Sequence, residues 1–172
     1  DFDYFCGILP QAENKEAHEL SLANTRARLR MTSLYYFAAL NRYLVCGTGN
    51  KVEDFGVGFY TKYGDGGVDL SPIADLTKTQ VFGLTAHLNI NSDIQNAPPT
   101  DGLWGDHRTD EDQLGASYPE LEWAMEAHEK KIPQNEFNER QKEVYEIFIS
   151  HFNNNQHKMQ PIPVCKIPFD FI

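Results

Sequence analysis

The stretch Tyr43-Leu44-Val45-Cys46-Gly47-Thr48-Gly49-Asn50 decides the fold of this chain. A short apolar run ends there in a turn rich in glycine and small polar residues. This pattern is typical of a strand buried in a parallel sheet, followed by a loop. Open α/β sheets bind ligands beyond the carboxyl ends of their strands. We therefore expect a strand over 43–46 with a binding site at its end.

Helix signals lie on both sides of this run. Thr77 with Gln80, and Ser117 with Glu120, match capping boxes that open helices, and a further helix is expected from about 138 to 152. Upstream, apolar residues at three- and four-residue spacing predict a helix from about 20 to 40. They are Leu20, Ala23, Ala27, Met31, Leu34 and Ala38. The alternation of helix and strand predicts one α/β domain over 1–172.

The charge and cysteine content exclude several classes of function. With a net charge of −10 and a pI near 4.9, the chain repels nucleic acid and anionic membranes. Neither a signal peptide nor a membrane span is visible in the sequence. The three cysteines are odd in number and widely spaced, which argues against a disulfide framework or a zinc site and favours the cytoplasm. Cys46, within the apolar run, is expected to be a buried small hydrophobe.

Seven strings of residues give a more specific indication. They occupy 27–31, 47–54, 60–69, 72–79, 99–104, 109–115 and 157–158. In order and spacing they resemble the consecutive signatures of bacterial ammonia-dependent NAD synthetases, members of the ATP-pyrophosphatase superfamily. The resemblance covers nearly everything from Leu20 onward. One string alone would be weak support, whereas seven in the same order are strong support.

The resemblance implies a fold and a reaction. The fold is a Rossmann-like, doubly wound parallel sheet with helices on both faces, and members of the family form homodimers. In the reaction, ATP adenylates the nicotinate carboxylate of deamido-NAD, and ammonia then displaces AMP to leave NAD. Mg²⁺ and lysines are expected to neutralise the pyrophosphate that departs.

The resemblance also assigns roles to single residues. Thr48, Lys78 and Thr100 correspond to positions that contact ATP, and Glu53 corresponds to a magnesium ligand. The positions that hold deamido-NAD correspond to Arg28, Lys62, Asp69, His157 and Lys158. Considered without the family, each has an ordinary alternative: a solvated helix carboxylate, a surface lysine, a loop cap or a surface imidazole.

One departure from the family limits these expectations. The family carries an S-G-G-x-D-S loop whose backbone N–H groups cradle the pyrophosphate of ATP, and this chain contains no such string. About the first third or more of a typical domain is expected to be missing, so the 172 residues alone are expected to be inactive. A non-catalytic dinucleotide-binding remnant, and a superfamily member that adenylates another substrate, remain alternatives. No glutaminase segment is visible, which favours free ammonia as the nitrogen donor.

Overall fold

The computed structural model describes residues 2–10, 12–106 and 108–168, and these are mainly helical. The first part of the chain forms α1 (Phe2–Ile8), the long α2 (Lys15–Asn41) and a π-helix (Val52–Val57). The middle forms α3 (Lys78–His87), α4 (Ser92–Gln95) and α5 (Asp110–Leu114). The last part forms α6 (Tyr118–Glu129), a 3₁₀ turn (Gln134–Glu136), α7 (Glu139–Asn154) and α8 (Gln156–Met159).

The apolar core lies where the π-helix packs between α6 and α7. Val52 and Val57 are fully buried there against Leu121 of α6 and Phe148 of α7. A Cβ atom at Gly56 would lie 3.3 Å from a ring carbon of Phe148 and 3.2 Å from the sulfur of a neighbouring methionine. The absence of a side chain at this position therefore lets the helices approach closely.

Capping boxes start the helices at the predicted positions. The Thr77 N–H donates to the Gln80 side chain (2.9 Å), and the Gln80 N–H donates back to the Thr77 hydroxyl (3.3 Å). At the start of α6 the Ser117 N–H donates to the Glu120 carboxylate (2.9 Å). The helix expected from about 138 to 152 is confirmed as α7. These ends are local devices, so the sequence alone was sufficient to place them.

The predicted helix over about 20–40 is confirmed within α2, but its apolar stripe is only partly buried. Ala23, Ala27 and Ala38 are buried, whereas Leu20 and Leu34 are 51% and 57% exposed. Further large apolar side chains are exposed near the carboxyl end of α2 and just beyond it: Tyr36, Phe37, Leu40, Tyr43 and Leu44. The periodicity of α2 thus predicted the helix correctly, but not how much of it is covered by the described residues.

The predicted sheet is reduced to a single parallel bridge between Cys46 and Leu70 in the described part of the chain. The Gly47 N–H donates to the Leu70 carbonyl (2.7 Å), and the Asp69 N–H donates to the Val45 carbonyl (2.9 Å). A strand over 43–46 is therefore not formed, and the doubly wound sheet is not confirmed. A longer ladder requires neighbouring strands, which these residues do not supply.

The expectation that Cys46 is buried is wrong. Val45 is 6% exposed, whereas Cys46 is exposed. Successive side chains of an extended backbone point to opposite sides, so the inward direction of Val45 turns Cys46 outward.

None of the helices in the described residues combines the length and the apolar character that crossing a bilayer requires.

Candidate active site

A cavity of 590 Å³ lies beside the parallel bridge, and five of the nine predicted site residues line it. They are Thr48, Glu53, Lys78, Thr100 and Lys158. The turn after Cys46, the outward side of the π-helix, the glycine-rich loop 64–68 and one face of α2 form its walls. Segments far apart in the sequence therefore converge on one cleft of a size suited to a small ligand.

Glu53 is fixed by three donors at the floor of the cavity. Its Oε1 accepts from the Tyr118 hydroxyl (2.5 Å) and from the Lys78 ammonium (3.2 Å), and its Oε2 accepts from the Asn50 N–H (3.0 Å). The side chains of Glu53 and Lys78 are only 12% and 20% exposed. Ion pairs shielded from water in this way are worth more than surface pairs. The carboxylate is held in one orientation before any ligand arrives.

Asp110 brings a second carboxyl group to the same cluster. It is 7% exposed and lines the cavity; its Oδ2 lies 3.3 Å from the Tyr118 hydroxyl, and its buried Oδ1 has no hydrogen-bond partner among the described residues. Burial, with the nearby charges of Asp101 and Glu53, raises the pKa of Asp110. Burial, followed by the charge of Glu53, raises the pKa of Tyr118, which keeps its hydroxyl protonated.

These oxygen donors fit a magnesium ion that substrate helps to hold. Mg²⁺ takes oxygen ligands, keeps several waters and commonly binds through one or two carboxylates together with phosphates. Glu53 supplies one fixed carboxylate, and Asp110, whose buried Oδ1 has no hydrogen-bond partner among the described residues, lines the same cavity. No cluster of three or more acidic, histidine or cysteine ligands occurs within 2–10, 12–106 and 108–168. A magnesium ion bound beside Glu53 would take its remaining ligands from phosphate and water.

Lys158 is placed differently from a free phosphate ligand. Its ammonium donates to the carbonyls of Gly58 (2.8 Å) and Tyr60 (2.7 Å), and burial lowers its pKa. An ammonium has three hydrogens to donate, so at most one is left for a ligand once these two bonds are made. Lys158 both holds the 58–60 turn and lines the cavity.

Two further carboxyl groups, those of Asp54 and Asp65, line the cavity. Burial, reinforced by Glu53 and Asp65, raises the pKa of Asp54 to about 6. Burial likewise raises the pKa of Asp65, whose Oδ1 accepts from the Thr61 N–H (2.9 Å). Carboxyl groups with raised pKa values exchange protons more readily near neutral pH than ordinary surface carboxylates do.

The loop that carries Thr100 is fastened to α2 by an arginine. Arg30 donates to the carbonyls of Asp101 (3.1 Å) and Gly102 (2.9 Å). Thr100 itself donates to the Arg108 carbonyl (3.3 Å). These bonds hold the loop in which Thr100 lines the cavity, while Thr48 lines it from the turn after the bridge.

The other four predicted residues lie outside the cavity lining. Asp69 accepts from the Val45 N–H (2.8 Å) and the Tyr35 hydroxyl (3.1 Å), so it braces the bridge to α2. Two hydrogen bonds at the surface link the other three residues. Arg28 donates to the Lys62 carbonyl (3.3 Å), and the Lys62 ammonium donates to the His157 carbonyl.

Helix geometry explains why Arg28 is outside the cavity. The cavity is lined by Ala27, Arg30, Met31 and Leu34, which repeat at three- and four-residue spacing and so share one helix face. Arg28 lies on a different face. The contacts of Arg28, Lys62, Asp69 and His157 with deamido-NAD stay predictions.

Sequence reasoning missed Tyr118, Asp110 and Arg30 as site residues. Asp110 lies in the string 109–115 and Arg30 lies in the string 27–31, but the resemblance assigns no role to either residue. Tyr118 lay inside a capping box and was therefore considered only as part of a helix start. A buried tyrosine needs a partner for its hydroxyl, but the burial of Tyr118 and the identity of Glu53 as its partner are seen only in the structure.

Comparison with known proteins assigns this architecture. The sequence model of the NAD synthase family matches residues 4–162. An NH₃-dependent NAD⁺ synthetase of Archaeoglobus fulgidus is 39% identical over 152 residues, which are 88% of this chain and 58% of the relative. One from Carboxydothermus hydrogenoformans is 46% identical over 114 residues, 66% of this chain and 46% of the relative.

Two solved structures, of an NMN synthetase and of an NAD synthetase, superpose on nearly the whole chain. The NMN synthetase from Francisella tularensis superposes with a TM-score of 0.76 at 28% sequence identity. The match covers 96% of this chain and 63% of the synthetase chain. An NH₃-dependent NAD synthetase from Campylobacter jejuni superposes with a TM-score of 0.69 at 25% identity, covering 96% and 62%. The chain thus spans about half the length of the curated relatives it matches. It belongs to the NAD synthase family.

Proposed function

We propose that the protein containing this chain amidates deamido-NAD with ammonia, at the expense of ATP, to give NAD, AMP and pyrophosphate. The observation that carries the proposal is the Glu53–Lys78 pair, joined at 3.2 Å within the cavity that Thr48, Thr100 and Lys158 also line. A fixed carboxylate beside a lysine suits the binding of magnesium and phosphate. The names of the relatives supply the product NAD⁺ and the nitrogen donor ammonia, and the family resemblance supplies deamido-NAD and ATP.

In the first half of the reaction, an anionic carboxylate has to approach the anionic α-phosphate of ATP. Lys78 provides a positive charge for the phosphates, and Thr48 and Thr100, which also line the cavity, provide hydroxyl groups. Mg²⁺, when bound beside Glu53, would neutralise part of the phosphate charge. The carboxylate oxygen then bonds to the α-phosphorus, and the bond to pyrophosphate breaks.

In the second half, ammonia attacks the carbonyl carbon of the adenylate. The nitrogen has to lose a proton as AMP leaves with the former carboxylate oxygen. Asp54 lines the cavity, and we assign its carboxylate as the group that takes that proton. A partly enclosed pocket also limits hydrolysis of the adenylate by water.

The test compares NAD formation by the full-length protein and by the 172 residues alone. The full-length protein should form NAD from deamido-NAD, ATP and ammonia. The isolated chain should form none, because Lys78 and a cation at Glu53 supply only part of the charge that pyrophosphate needs. NAD formation by the isolated chain, with its mass checked, would contradict this account of the ATP site. No NAD from the full-length protein would sink the proposed function.

Calorimetry separates this proposal from a non-catalytic dinucleotide-binding remnant. An enzyme of the proposed kind should bind ATP more tightly when Mg²⁺ is present. A remnant would bind deamido-NAD or NAD but would show no magnesium-dependent affinity for ATP.

The neighbouring NMN synthetase favours one second candidate, in which the substrate is the mononucleotide counterpart of deamido-NAD. That structure superposes on 96% of this chain with a TM-score of 0.76. Competition between nicotinate mononucleotide and deamido-NAD, compared by kcat/KM, decides between the two. We propose the dinucleotide as the substrate, because the curated relatives are named NAD⁺ synthetases.

The homodimer and the cytoplasmic location of the protein stay predictions.

A further inference from the structure

Tyr118 occupies a junction between the core and the cavity. It is the first residue of α6 and is 3% exposed. Its backbone N–H donates to the Glu111 carboxylate (2.8 Å), which fixes the residue from the other side. Its ring packs with the apolar core, while its hydroxyl points toward the charged groups beside the cavity. The two ends of one side chain thus contact two different environments.

The hydroxyl has one proton, and its distances show which acceptor receives it. Glu53 Oε1 lies at 2.5 Å and Asp110 Oδ2 at 3.3 Å. A short O–H···O⁻ bond is much the stronger of the two, so the hydroxyl donates its hydrogen bond to Glu53. This bond selects one orientation of the Glu53 carboxylate, with Oε1 also facing Lys78 at 3.2 Å.

The ring of Tyr118 supports the lysine in the same cluster. The Lys78 ammonium lies 4.7 Å from the ring centroid, within the range of a cation–π contact. Tyr118 therefore contacts both partners of the Glu53–Lys78 pair, one through its hydroxyl and the other through its ring. Such a contact restricts the lysine without using any of its hydrogens.

We propose that Tyr118 is a positioning residue for magnesium and ATP, acting through Glu53 and Lys78. The inference rests on the proposed function for the identity of the substrate, and on the geometry for the role of the tyrosine. A purely structural role would require the ring alone, since phenylalanine would fill the same core volume. Among the described residues the hydroxyl hydrogen-bonds to Glu53 and Asp110, which both line the cavity, so its effect should be on the ligands of these groups.

The experiment replaces Tyr118 with phenylalanine in the full-length protein. Tyr118→Phe should raise the Mg²⁺ concentration for half-maximal rate and the KM for ATP about tenfold, as loss of a hydrogen bond to a charged group does. The KM for deamido-NAD should change less than twofold. The melting temperature should stay within a few degrees, because the ring remains.

Tyr145→Phe is the matched control. Tyr145 also packs against the core, and its hydroxyl lies 3.2 Å from His128 Nδ1, whose ring packs on Phe148 and Phe152. Removing that hydroxyl should leave the magnesium requirement unchanged. Tyr118→Leu, which also removes the ring, should weaken Mg–ATP binding further than Tyr118→Phe does.

An unchanged magnesium requirement in Tyr118→Phe would overturn the inference. Its failure is distinguishable from failure of the proposed function, because Mg–ATP binding can be measured by calorimetry without turnover. If the wild-type protein binds Mg–ATP but forms no NAD, the proposed function fails. A roughly tenfold weaker Mg–ATP affinity in Tyr118→Phe would then still support the positioning role, and an equal affinity would overturn it.

Discussion

The two sides of the π-helix Val52–Val57 serve different purposes. Its inward side places Val52, Gly56 and Val57 against α6 and α7, where the apolar core is closely packed. Its outward side places Glu53 and Asp54 in the cavity wall. Side chains one residue apart thus face a dry core and a polar pocket. π-Helical turns are frequent at functional sites because the extra residue redirects side chains.

The difference shows which substitutions should affect stability and which should affect activity. A core side chain gains its free energy from buried contacts that are the same with or without ligand. A pocket carboxylate gains less from folding, since its charge is partly desolvated and its partners are polar. The comparison predicts large stability effects on the inward side and large kinetic effects on the outward side.

The largest expected effect is on the core side. Phe148→Ala removes a fully buried ring that packs over Gly56, and should lower the free energy of unfolding by about 3–5 kcal/mol. Urea denaturation of the full-length protein measures this loss. Phe148→Leu, the control, keeps most of the volume and should lose about half as much or less. A loss below about 1 kcal/mol for Phe148→Ala would show that the core is not packed as described.

The next effect is on the pocket side. Glu53→Gln keeps the shape but removes the charge that faces Lys78, and should lower the adenylation rate about a hundredfold. Single-turnover release of pyrophosphate measures that rate. Glu139→Gln, at a side chain 93% exposed on α7, is the control and should leave it unchanged. Near-normal turnover of Glu53→Gln at saturating Mg²⁺ would remove the metal role from this residue.

The smallest effect concerns a contact that joins α6 to α7. Arg140 donates to both oxygens of Glu120 (2.8 and 3.0 Å), and this pairing lowers the pKa of Glu120 to about 2. A lowered pKa adds stability above the ordinary value of 4.5 and loses it as pH falls from 4.5 toward 2. Because the pair is solvent-exposed, Glu120→Gln should cost only about 1 kcal/mol near neutral pH.

The pH dependence and a double substitution test this contact. The difference between wild type and Glu120→Gln should disappear by about pH 2, if the folded state persists there. Arg140 also donates to Glu143 (2.8 Å). Combining Glu120→Gln with Arg140→Gln should therefore cost little more than Arg140→Gln alone, since that change already removes the pairing with Glu120. Additive losses would mean that the two side chains act separately.

The sequence predicted the helices well, because their signals are local. Capping at Thr77 and Ser117 depends on residues three positions apart, and the periodicity of α2 depends on its own side chains. The predicted strand over 43–46 is not formed, because its signal is not local. Pairing depends on a neighbour that the sequence pattern of one segment cannot guarantee, and here only Cys46 and Leu70 pair.

The candidate site was predicted in part for a similar reason. The family strings led to Thr48, Glu53, Lys78, Thr100 and Lys158, which line the cavity. They did not lead to Tyr118, because its contact with Glu53 spans 65 positions. Nor did they indicate that the Lys158 ammonium donates hydrogen bonds to two backbone carbonyls. Contacts between residues so far apart in the sequence are set by tertiary packing rather than by a local sequence pattern.

Transfer of a labelled oxygen tests most directly the claim that this cavity belongs to an enzyme that adenylates a carboxylate. Deamido-NAD with oxygen-18 in its nicotinate carboxylate would be incubated with the full-length protein, ATP, Mg²⁺ and ammonia, and the products analysed by mass spectrometry. Attack of the carboxylate on the α-phosphorus predicts one heavy oxygen in AMP and none in pyrophosphate. Formation of NAD with unlabelled AMP would contradict the account.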